Sequence, residues 1–192
     1  MPERRVLVVY AHANDAASRV NRSLRAAVDD LDGVLVHDVY EAHPEFFIDP
    51  KPEQARLNEH DVVILQHPLQ WYGAPAILKE WIDSVLEEGW AYGEGGKALA
   101  GKSLLSAVTC GGTESMYRRD GRHRFSIHEF LRPFEQTARY CGMHYLPPFV
   151  TFGARRLSAG AIATRASEYR ALVERLARGA LPAPLDTGLD RG

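Results

Sequence analysis

The chain has few of the features that mark secreted, membrane-spanning or nucleic-acid-binding proteins. Its two cysteines, Cys110 and Cys141, give neither a disulfide framework nor the spacing of metal ligands. No apolar run approaches membrane-spanning length, and the N-terminus lacks the long apolar stretch of a signal peptide. The net charge of −2 is not the basic excess of a nucleic-acid-binding surface. We therefore predict a cytoplasmic protein with no metal site and no nucleic-acid partner.

Glycine-rich phosphate-binding motifs are also absent. There is no G-x-G-x-x-G after the first predicted strand and no P-loop lysine motif, which disfavours an ordinary dinucleotide-binding fold and a nucleotide triphosphatase. The chain contains no internal repeats and no interior linker, so residues 1–178 predict one domain. Residues 179–192 carry little apolar content and predict a loosely ordered tail.

The stretch that organises the rest is Val62–Tyr72. Its first four residues, Val62–Leu65, are apolar, too few for a helix and rich in β-branching, so they predict a buried central strand. The strand should end at Pro68, because proline cannot donate to a sheet ladder. The loop that follows carries Trp71 and Tyr72, which suggest a flat, conjugated ligand. The alternative is that the two aromatic side chains only cover the end of the strand.

Strand and helix patterns alternate along the chain. The other predicted strands are Arg5–Tyr10, Val34–Tyr40, Lys102–Val108 and Pro148–Phe152. The predicted helices are Ser18–Leu31, capped by Ser18 or a close neighbour, a short one at Glu53–Asn58, one from Pro75 to near Gly89, one around Ile127–Ala138, and Ala161–Arg178. This alternation predicts an α/β fold, a flavodoxin-like doubly wound sheet of five parallel strands in the order 2-1-3-4-5.

In that topology the loops after strands one, three and four meet at one crevice. The first loop, His12–Asn21, leads directly into a helix, and a helix N-terminus attracts anions. Ser18 and Asn21 add short hydrogen-bonding side chains that suit a phosphate, although they could equally serve as helix caps. Gly111 and Gly112 allow backbone to approach a ligand closely, but most glycine pairs are only turns.

Longer motifs carry a resemblance to a known family. The segments LQWYGAP (69–75), GWAYG with GKALAGK (89–102) and YCGMHYLPPF (140–149) resemble the flavodoxin-fold NAD(P)H:quinone oxidoreductases. Within them, the chain is most similar to the ancillary proteins of glutathione-regulated potassium-efflux systems, and the similarity covers nearly the whole chain. Two positions depart from the family pattern: Ala13 replaces a usual proline and Cys110 a common threonine.

The resemblance implies a bound flavin. The phosphate end would be held by His12, Ser18, Arg19, Val20 and Asn21. The isoalloxazine ring would be held, mainly through backbone N–H groups, by Leu69, Gln70, Trp71, Tyr72, Thr109, Cys110, Gly111 and Gly112. We predict FMN, because the chain is short and no adenosine-binding segment is recognisable; FAD is the alternative.

A second resemblance implies that Tyr117 and His123 are catalytic. The stretch from Gly111 to His123 resembles larger, diaphorase-type quinone reductases, with a glycine pair, Ser-Met-Tyr, and a histidine after a glycine. A tyrosine hydroxyl backed by a histidine could donate a hydrogen bond or proton to the charge that develops on the reduced flavin. The alternative is that both residues only lie on a surface loop and take no part in the reaction.

The implied function is two-electron transfer of hydride from NAD(P)H through the flavin to a quinone-like acceptor, in a homodimer with Trp90–Gly96 near the partner's active site. The alternative is a regulatory ancillary subunit of a membrane potassium-efflux transporter, with secondary redox activity at the inner face of the membrane. His67 and the arginines of Arg155–Arg178 are interpreted as structural, the former at a strand end and the latter on a solvated helix face.

Overall fold

A central parallel sheet forms the middle layer of the protein. The computed structural model describes residues 3–184. The strands are β1 (Val6–Tyr10), β2 (Val34–Asp38), β3 (Val62–Pro68), β4 (Ser103–Thr109), β5 (His144–Tyr145) and β6 (Phe149–Thr151). The helices are α1 (Val20–Ala26), α2 (Val39–Ala42), α3 (Pro50–Glu59), α4 (Ala76–Val85), α5 (Ile127–Tyr140) and α6 (Ala159–Ala177), with 3₁₀ turns at Asp15–Ala17 and Glu114–Met116.

The predicted strand order 2-1-3-4-5 is confirmed. The fifth position, however, is filled by two short strands, because β5 and β6 both pair in parallel with β4. The Leu146 N–H still donates to the Leu104 carbonyl at 2.8 Å. The next two residues are Pro147 and Pro148, which have no N–H to donate, so the ladder is interrupted until Phe149 pairs with Ala107.

The two faces of the sheet bury alternate side chains against different helices. Along β1, Val6 and Val8 pack with residues of α1 and α6, whereas Leu7 and Val9 pack with residues of α3, α4 and α5. Both faces are therefore covered, which explains why β1 and the first four residues of β3 are continuous apolar runs and why every residue of β4 is buried. Among the helices of the described residues, none combines the length and apolar character needed to cross a membrane.

Several element boundaries differ from the sequence prediction. The first helix is shorter: it begins at Val20 after a 3₁₀ turn. Its N-cap is Arg19, the neighbour of Ser18, and no side chain makes a capping hydrogen bond there. The second strand ends at Asp38, because its carboxylate accepts hydrogen bonds from the Tyr40 and Glu41 N–H groups and starts α2. Similarly, Asp49 caps α3, which begins at Pro50, three residues before the predicted start at Glu53.

The C-terminal segment begins as a continuation of α6. Gly179 and Ala180 donate N–H groups to the carbonyls of Leu176 and Arg175, and Leu181 packs against the apolar cluster beneath α6. Of the predicted tail, residues 179–192, the part from 185 to 192 lies outside the described residues. The division into a domain and a tail therefore stays a prediction.

Candidate functional site

The loops at the carboxyl ends of β1, β3 and β4 surround a cavity of about 660 Å³. Every site residue predicted from the sequence lines it: His12, Ser18, Arg19, Val20, Asn21, Leu69, Gln70, Trp71, Tyr72, Thr109, Cys110, Gly111, Gly112, Tyr117 and His123. The sequence did not predict the remaining lining residues: Ala17, Pro68, Ala154 and Arg155. The topology therefore brings together the three loops that the sequence analysis singled out.

A buried hydrogen-bond network fixes the first loop to the centre of the sheet. The Asn21 Nδ2 group donates to Thr109 Oγ1 at 2.7 Å, and Gln66 Nε2 donates to the Asn21 carbonyl at 2.9 Å. On the other side of Gln66, the Tyr169 hydroxyl donates to its Oε1 at 3.1 Å. Asn21, Gln66 and Tyr169 are almost wholly buried. Buried polar groups of this kind specify one arrangement, because an unpaired partner would be costly.

The residues before α1 are held by bonds among themselves. The Tyr10 hydroxyl donates a short hydrogen bond to Asp15, and Ser18 bonds to the same Tyr10 oxygen. The Asn14 N–H donates to His12 Nδ1 at 3.2 Å. Burial lowers the pKa of His12, and the Asp15 carboxylate partly opposes this effect. His12 is therefore mainly neutral at pH 7, and it can contribute a hydrogen bond rather than a full charge.

The loop after β3 is a tight turn with two aromatic residues in a left-handed backbone conformation. Gln70 and Gly73 exchange N–H···O hydrogen bonds of 2.9 Å, and between them Trp71 has φ 46° and Tyr72 φ 67°. Such turns favour glycine or asparagine, and each bulky residue in this region costs about 1–3 kcal/mol. Trp71 is 95% exposed, so its burial within the chain does not offset this cost. Tyr72 stacks on Phe130 with ring centroids 5.0 Å apart.

The loop after β4 is bonded to its neighbours on both sides. The Leu69 N–H donates to the Thr109 carbonyl at 2.8 Å, which joins it to the loop after β3. On the other side, the Cys110 N–H donates to Thr151 and its carbonyl accepts from the Ala154 N–H, at 2.8 and 2.9 Å. These bonds bring a fourth loop, between β6 and α6, into the cavity wall.

Arg155 lies on this fourth loop. It precedes α6 and lines the cavity, so the interpretation of this residue as part of a solvated helix face is wrong. No motif marks it in the sequence, because its position depends on the pairing of β6 with β4.

Tyr117 and His123 lie side by side at the cavity, with ring centroids 4.5 Å apart. Tyr117 is buried, and its hydroxyl donates to the Cys110 thiol and accepts from the Gly112 N–H. Burial and the neighbouring Cys110 raise the pKa of Tyr117 to about 12, so the phenol is protonated at neutral pH. A Cβ added to Gly112 would come within 3.1 Å of both aromatic rings, which explains glycine there.

The loop that carries this pair folds back on itself at Gly121. The His123 N–H donates to the Met116 carbonyl at 2.9 Å. A Cβ on Gly121 would lie only 2.4 Å from the Ser115 carbonyl oxygen, so only glycine fits at this approach. The contact between the two predicted catalytic residues therefore depends on a glycine that the sequence motif also contains.

Burial makes Cys110 and His67 unreactive. It raises the pKa of the Cys110 thiol to about 12, although the hydrogen bond from Tyr117 partly opposes this rise. The thiolate is the nucleophilic form, so Cys110 is a packed residue rather than a redox-sensitive one. Burial lowers the pKa of His67 to about 4, and the imidazole packs 5.3 Å from Phe134. This placement agrees with a structural role at the strand end.

The cavity lining is positively charged. It contains two arginines, Arg19 and Arg155, and no aspartate or glutamate is among the described residues that line it. The Arg19 guanidinium donates to the Leu157 carbonyl at 3.1 Å, which keeps it near the fourth loop. This charge, together with the exposed aromatic turn, suits a ligand that has both an anionic group and a flat ring.

Comparison with known proteins gives the same fold. Residues 4–173 match the family model described as having a flavodoxin-like fold. The chain is 46% identical over 170 residues to the glutathione-regulated potassium-efflux system ancillary protein KefG of Salmonella paratyphi B, covering 88% of this chain and 93% of the relative.

Two solved structures are also similar. General stress protein 14 of Treponema denticola, crystallised in complex with FMN, superposes with a TM-score of 0.84 at 38% identity and covers 90% of this chain and 99% of its own. An NADPH-quinone reductase from P. pentosaceus superposes with a TM-score of 0.80 at 30% identity, and the match covers 88% of this chain and 96% of the reductase chain.

Proposed function

Because the chain belongs to the family of proteins with a flavodoxin-like fold, we propose that it is a flavin-dependent NAD(P)H:quinone oxidoreductase that uses FMN. The observation that carries this proposal is the convergence of the loops after β1, β3 and β4 on one positively charged, aromatic-rimmed cavity. The similar protein crystallised with FMN and the similar NADPH-quinone reductase support the choice of cofactor and reaction class.

The residues present fit FMN. The cavity volume of about 660 Å³ lies in the range of small-molecule sites. Its lining offers arginine and histidine without a carboxylate, so a phosphate monoester would meet no repulsive charge among the described lining residues. We assign the phosphate end to Ser18–Asn21, at the start of α1, and the isoalloxazine ring to Leu69–Tyr72 and Thr109–Gly112. When bound, the flavin would supply the two-electron chemistry, and the protein would orient its ring.

Tyr117 and His123 would act at the edge of the bound ring. Their roles follow from position: both line the cavity beside Gly112, and the Tyr117 hydroxyl is protonated at neutral pH. A protonated phenol can donate a hydrogen bond toward negative charge, and the His123 imidazole lies directly beside it. NAD(P)H and the quinone would then enter the same open cavity in turn.

A symmetric homodimer is part of this proposal. The exposed aromatic residues Trp71 and Tyr72 at the cavity rim offer apolar surface for a second copy or a substrate. The segment Trp90–Gly96 folds into a compact turn, in which the Ala98 N–H donates to the Trp90 carbonyl and Tyr92 packs 5.0 Å from Tyr140. Light scattering that shows a stable, flavin-bound and active monomer would refute the dimer.

Anaerobic kinetics test the reaction. Protein reconstituted with FMN is mixed with NADH or NADPH, and bleaching of the flavin absorbance is followed before and after a benzoquinone is added. We expect reduction by at least one nicotinamide and complete reoxidation by the quinone. A fully loaded flavoprotein that neither nicotinamide reduces would refute the oxidoreductase assignment while leaving flavin binding intact.

A second candidate function is that of an ancillary subunit. The 46% identity to a potassium-efflux system ancillary protein favours it. We propose that the protein is cytoplasmic and binds peripherally to a membrane transporter of that type. Co-purification of the tagged protein with a coexpressed efflux transporter tests this function. Turnover alone does not decide between the two functions, because one protein could perform both.

A further inference from the structure

Arg155 is a cationic side chain on the cavity wall, and no carboxylate of residues 3–184 pairs with it. It lies in the turn between β6 and α6, where the Gly153 N–H donates to Gly112 at 2.8 Å and the Ala154 N–H donates to Cys110 at 2.9 Å. Within the described part of the chain, no salt bridge involves Arg155. Other arginines nearby are engaged: Arg165 pairs with Glu168 and Arg170 with Asp30.

The side chain of Arg155 lies close to the backbone of Gly111. A Cβ added to this glycine would lie 3.8 Å from Arg155 Nε and 4.0 Å from its Cδ, so the arginine side chain passes directly alongside the Gly111 backbone. At the next residue, a Cβ added to Gly112 would instead point toward the side chains of Tyr117 and His123. The glycine pair is thus flanked by a permanent positive charge on one side and by the tyrosine–histidine pair on the other.

We propose that Arg155 contacts the bound flavin ring and stabilises the negative charge that the ring acquires on reduction. This inference rests on the proposed function. A hydride adds two electrons and one proton to a neutral oxidised ring, so the reduced ring carries one negative charge until a second proton arrives. Because a guanidinium attracts that charge and leaves the neutral ring almost unaffected, Arg155 strengthens the binding of reduced flavin more than that of oxidised flavin.

The structure favours the ring over the phosphate as the partner of Arg155. The phosphate end is assigned to the loop before α1, which carries its own arginine, Arg19. Arg155 instead lies against Gly111, in the loop assigned to the ring. A contact of Arg155 with the ring and a contact with the phosphate predict different results. The phosphate of FMN is charged in both redox states of the flavin, and riboflavin has no phosphate.

The test compares Arg155→Gln with Arg156→Gln in the full-length protein. Arg156 is the matched control, because it is adjacent, has the same charge, is also exposed, and does not line the cavity. Fluorescence titration gives the dissociation constants of oxidised FMN and riboflavin. The midpoint potentials of bound and free flavin, measured anaerobically, then give the constants for the reduced forms. Arg155→Lys keeps the charge, and circular dichroism verifies folding of each variant.

We expect Arg155→Gln to weaken the binding of reduced FMN about fivefold, the scale of a strong exposed ion pair. Oxidised FMN should change less than twofold, riboflavin should show the same redox-dependent loss, and Arg155→Lys and Arg156→Gln should resemble wild type. Equal weakening of both FMN forms with riboflavin unaffected would overturn the inference in favour of a phosphate contact. No change in any constant would also overturn it. If wild-type protein binds neither flavin, the proposed function itself fails.

Discussion

Asn21 and Thr109, which are 88 residues apart in the sequence, are joined by a buried hydrogen bond of 2.7 Å from the amide Nδ2 to the hydroxyl Oγ1. This bond connects the first turn of α1 to the end of β4, and both residues line the cavity. The cavity is therefore formed by the folded chain itself. Its shape should depend on a few buried polar contacts of this kind.

Replacing Asn21 by alanine tests that dependence. The substitution leaves Thr109 Oγ1 without its donor in a buried site, so we expect the free energy of unfolding to fall by about 1–3 kcal/mol. Urea denaturation measures the loss. The exposed neighbour Arg22 is the control, and Arg22→Ala should lie within about 0.5 kcal/mol of wild type. Equal stability of the Asn21 variant and wild type would show that the bond contributes nothing net.

The tyrosine–histidine pair predicts a kinetic effect without a binding effect. Tyr117→Phe and His123→Ala should slow flavin reduction by NAD(P)H, since a positioned acid–base group typically contributes about 10²–10⁴-fold. Flavin affinity should remain nearly unchanged. Stopped-flow absorbance gives the reduction rate, with the exposed Tyr140→Phe as a control. Rates within a factor of two of wild type for both variants would remove the pair from the mechanism.

The left-handed conformation of Trp71 predicts that another residue would be more stable there. Trp71→Asn should raise the free energy of unfolding by about 1 kcal/mol, because asparagine tolerates this conformation, and Trp71→Val should lower it. Either change removes little buried area, since Trp71 is 95% exposed. Chemical denaturation of the two variants in parallel measures the difference. If valine proved as stable as asparagine, the backbone would not be strained at this residue.

The contacts of the buried Glu53 carboxylate predict that its contribution to the free energy of unfolding depends on pH. The carboxylate is 2.8 Å from both Trp81 Nε1 and Arg56 Nη1, and His37 and His43 lie 2.9 and 3.1 Å from it. Burial alone would raise its pKa, but the hydrogen bonds from His37 and Trp81 outweigh burial and lower the pKa to about 2. A lowered folded-state pKa stabilises the fold above the unfolded value near 4.5, and this stabilisation is lost as the pH falls toward 2.

Glu53→Gln should therefore destabilise the protein at pH 7 by about 3–5 kcal/mol, as expected when one partner of a buried ionic network is removed. The difference from wild type should shrink steadily between about pH 4.5 and pH 2, where the wild-type carboxylate becomes protonated. Thermal unfolding over that pH range measures it. If the difference in stability between Glu53→Gln and wild type does not vary with pH, the charge of Glu53 does not stabilise the fold.

The site could be predicted from the sequence wherever a loop directly follows an apolar strand. The strands β1, β3 and β4 predicted three loops at one edge of the sheet, and these loops line the cavity. The roles that the family motifs imply for them stay predictions. The prediction was wrong where a single side chain decided the local geometry. Asp38 starts a helix inside the predicted strand Val34–Tyr40, and Asp49 starts α3 before the predicted helix Glu53–Asn58. Ser18 bonds to Tyr10, and the N-cap of α1 is Arg19.

Two other features depend on contacts between segments that are distant in the chain. The fifth strand is split because Pro147 and Pro148 interrupt a ladder whose partner, β4, lies about 40 residues earlier. Arg155 reaches the cavity because the turn after β6 is hydrogen-bonded to Cys110 and Gly112. Neither pairing leaves a local pattern, so periodicity could not reveal them.

The most direct test of the proposed flavin site is equilibrium binding of FMN. The purified protein is stripped of small molecules and titrated with FMN and with FAD while flavin fluorescence is recorded, and whatever the untreated protein releases on denaturation is identified by mass. We predict saturable binding of FMN at one site per chain, at micromolar concentration or below, and release of FMN. Failure to bind either flavin at micromolar concentration would contradict both the site and the oxidoreductase function.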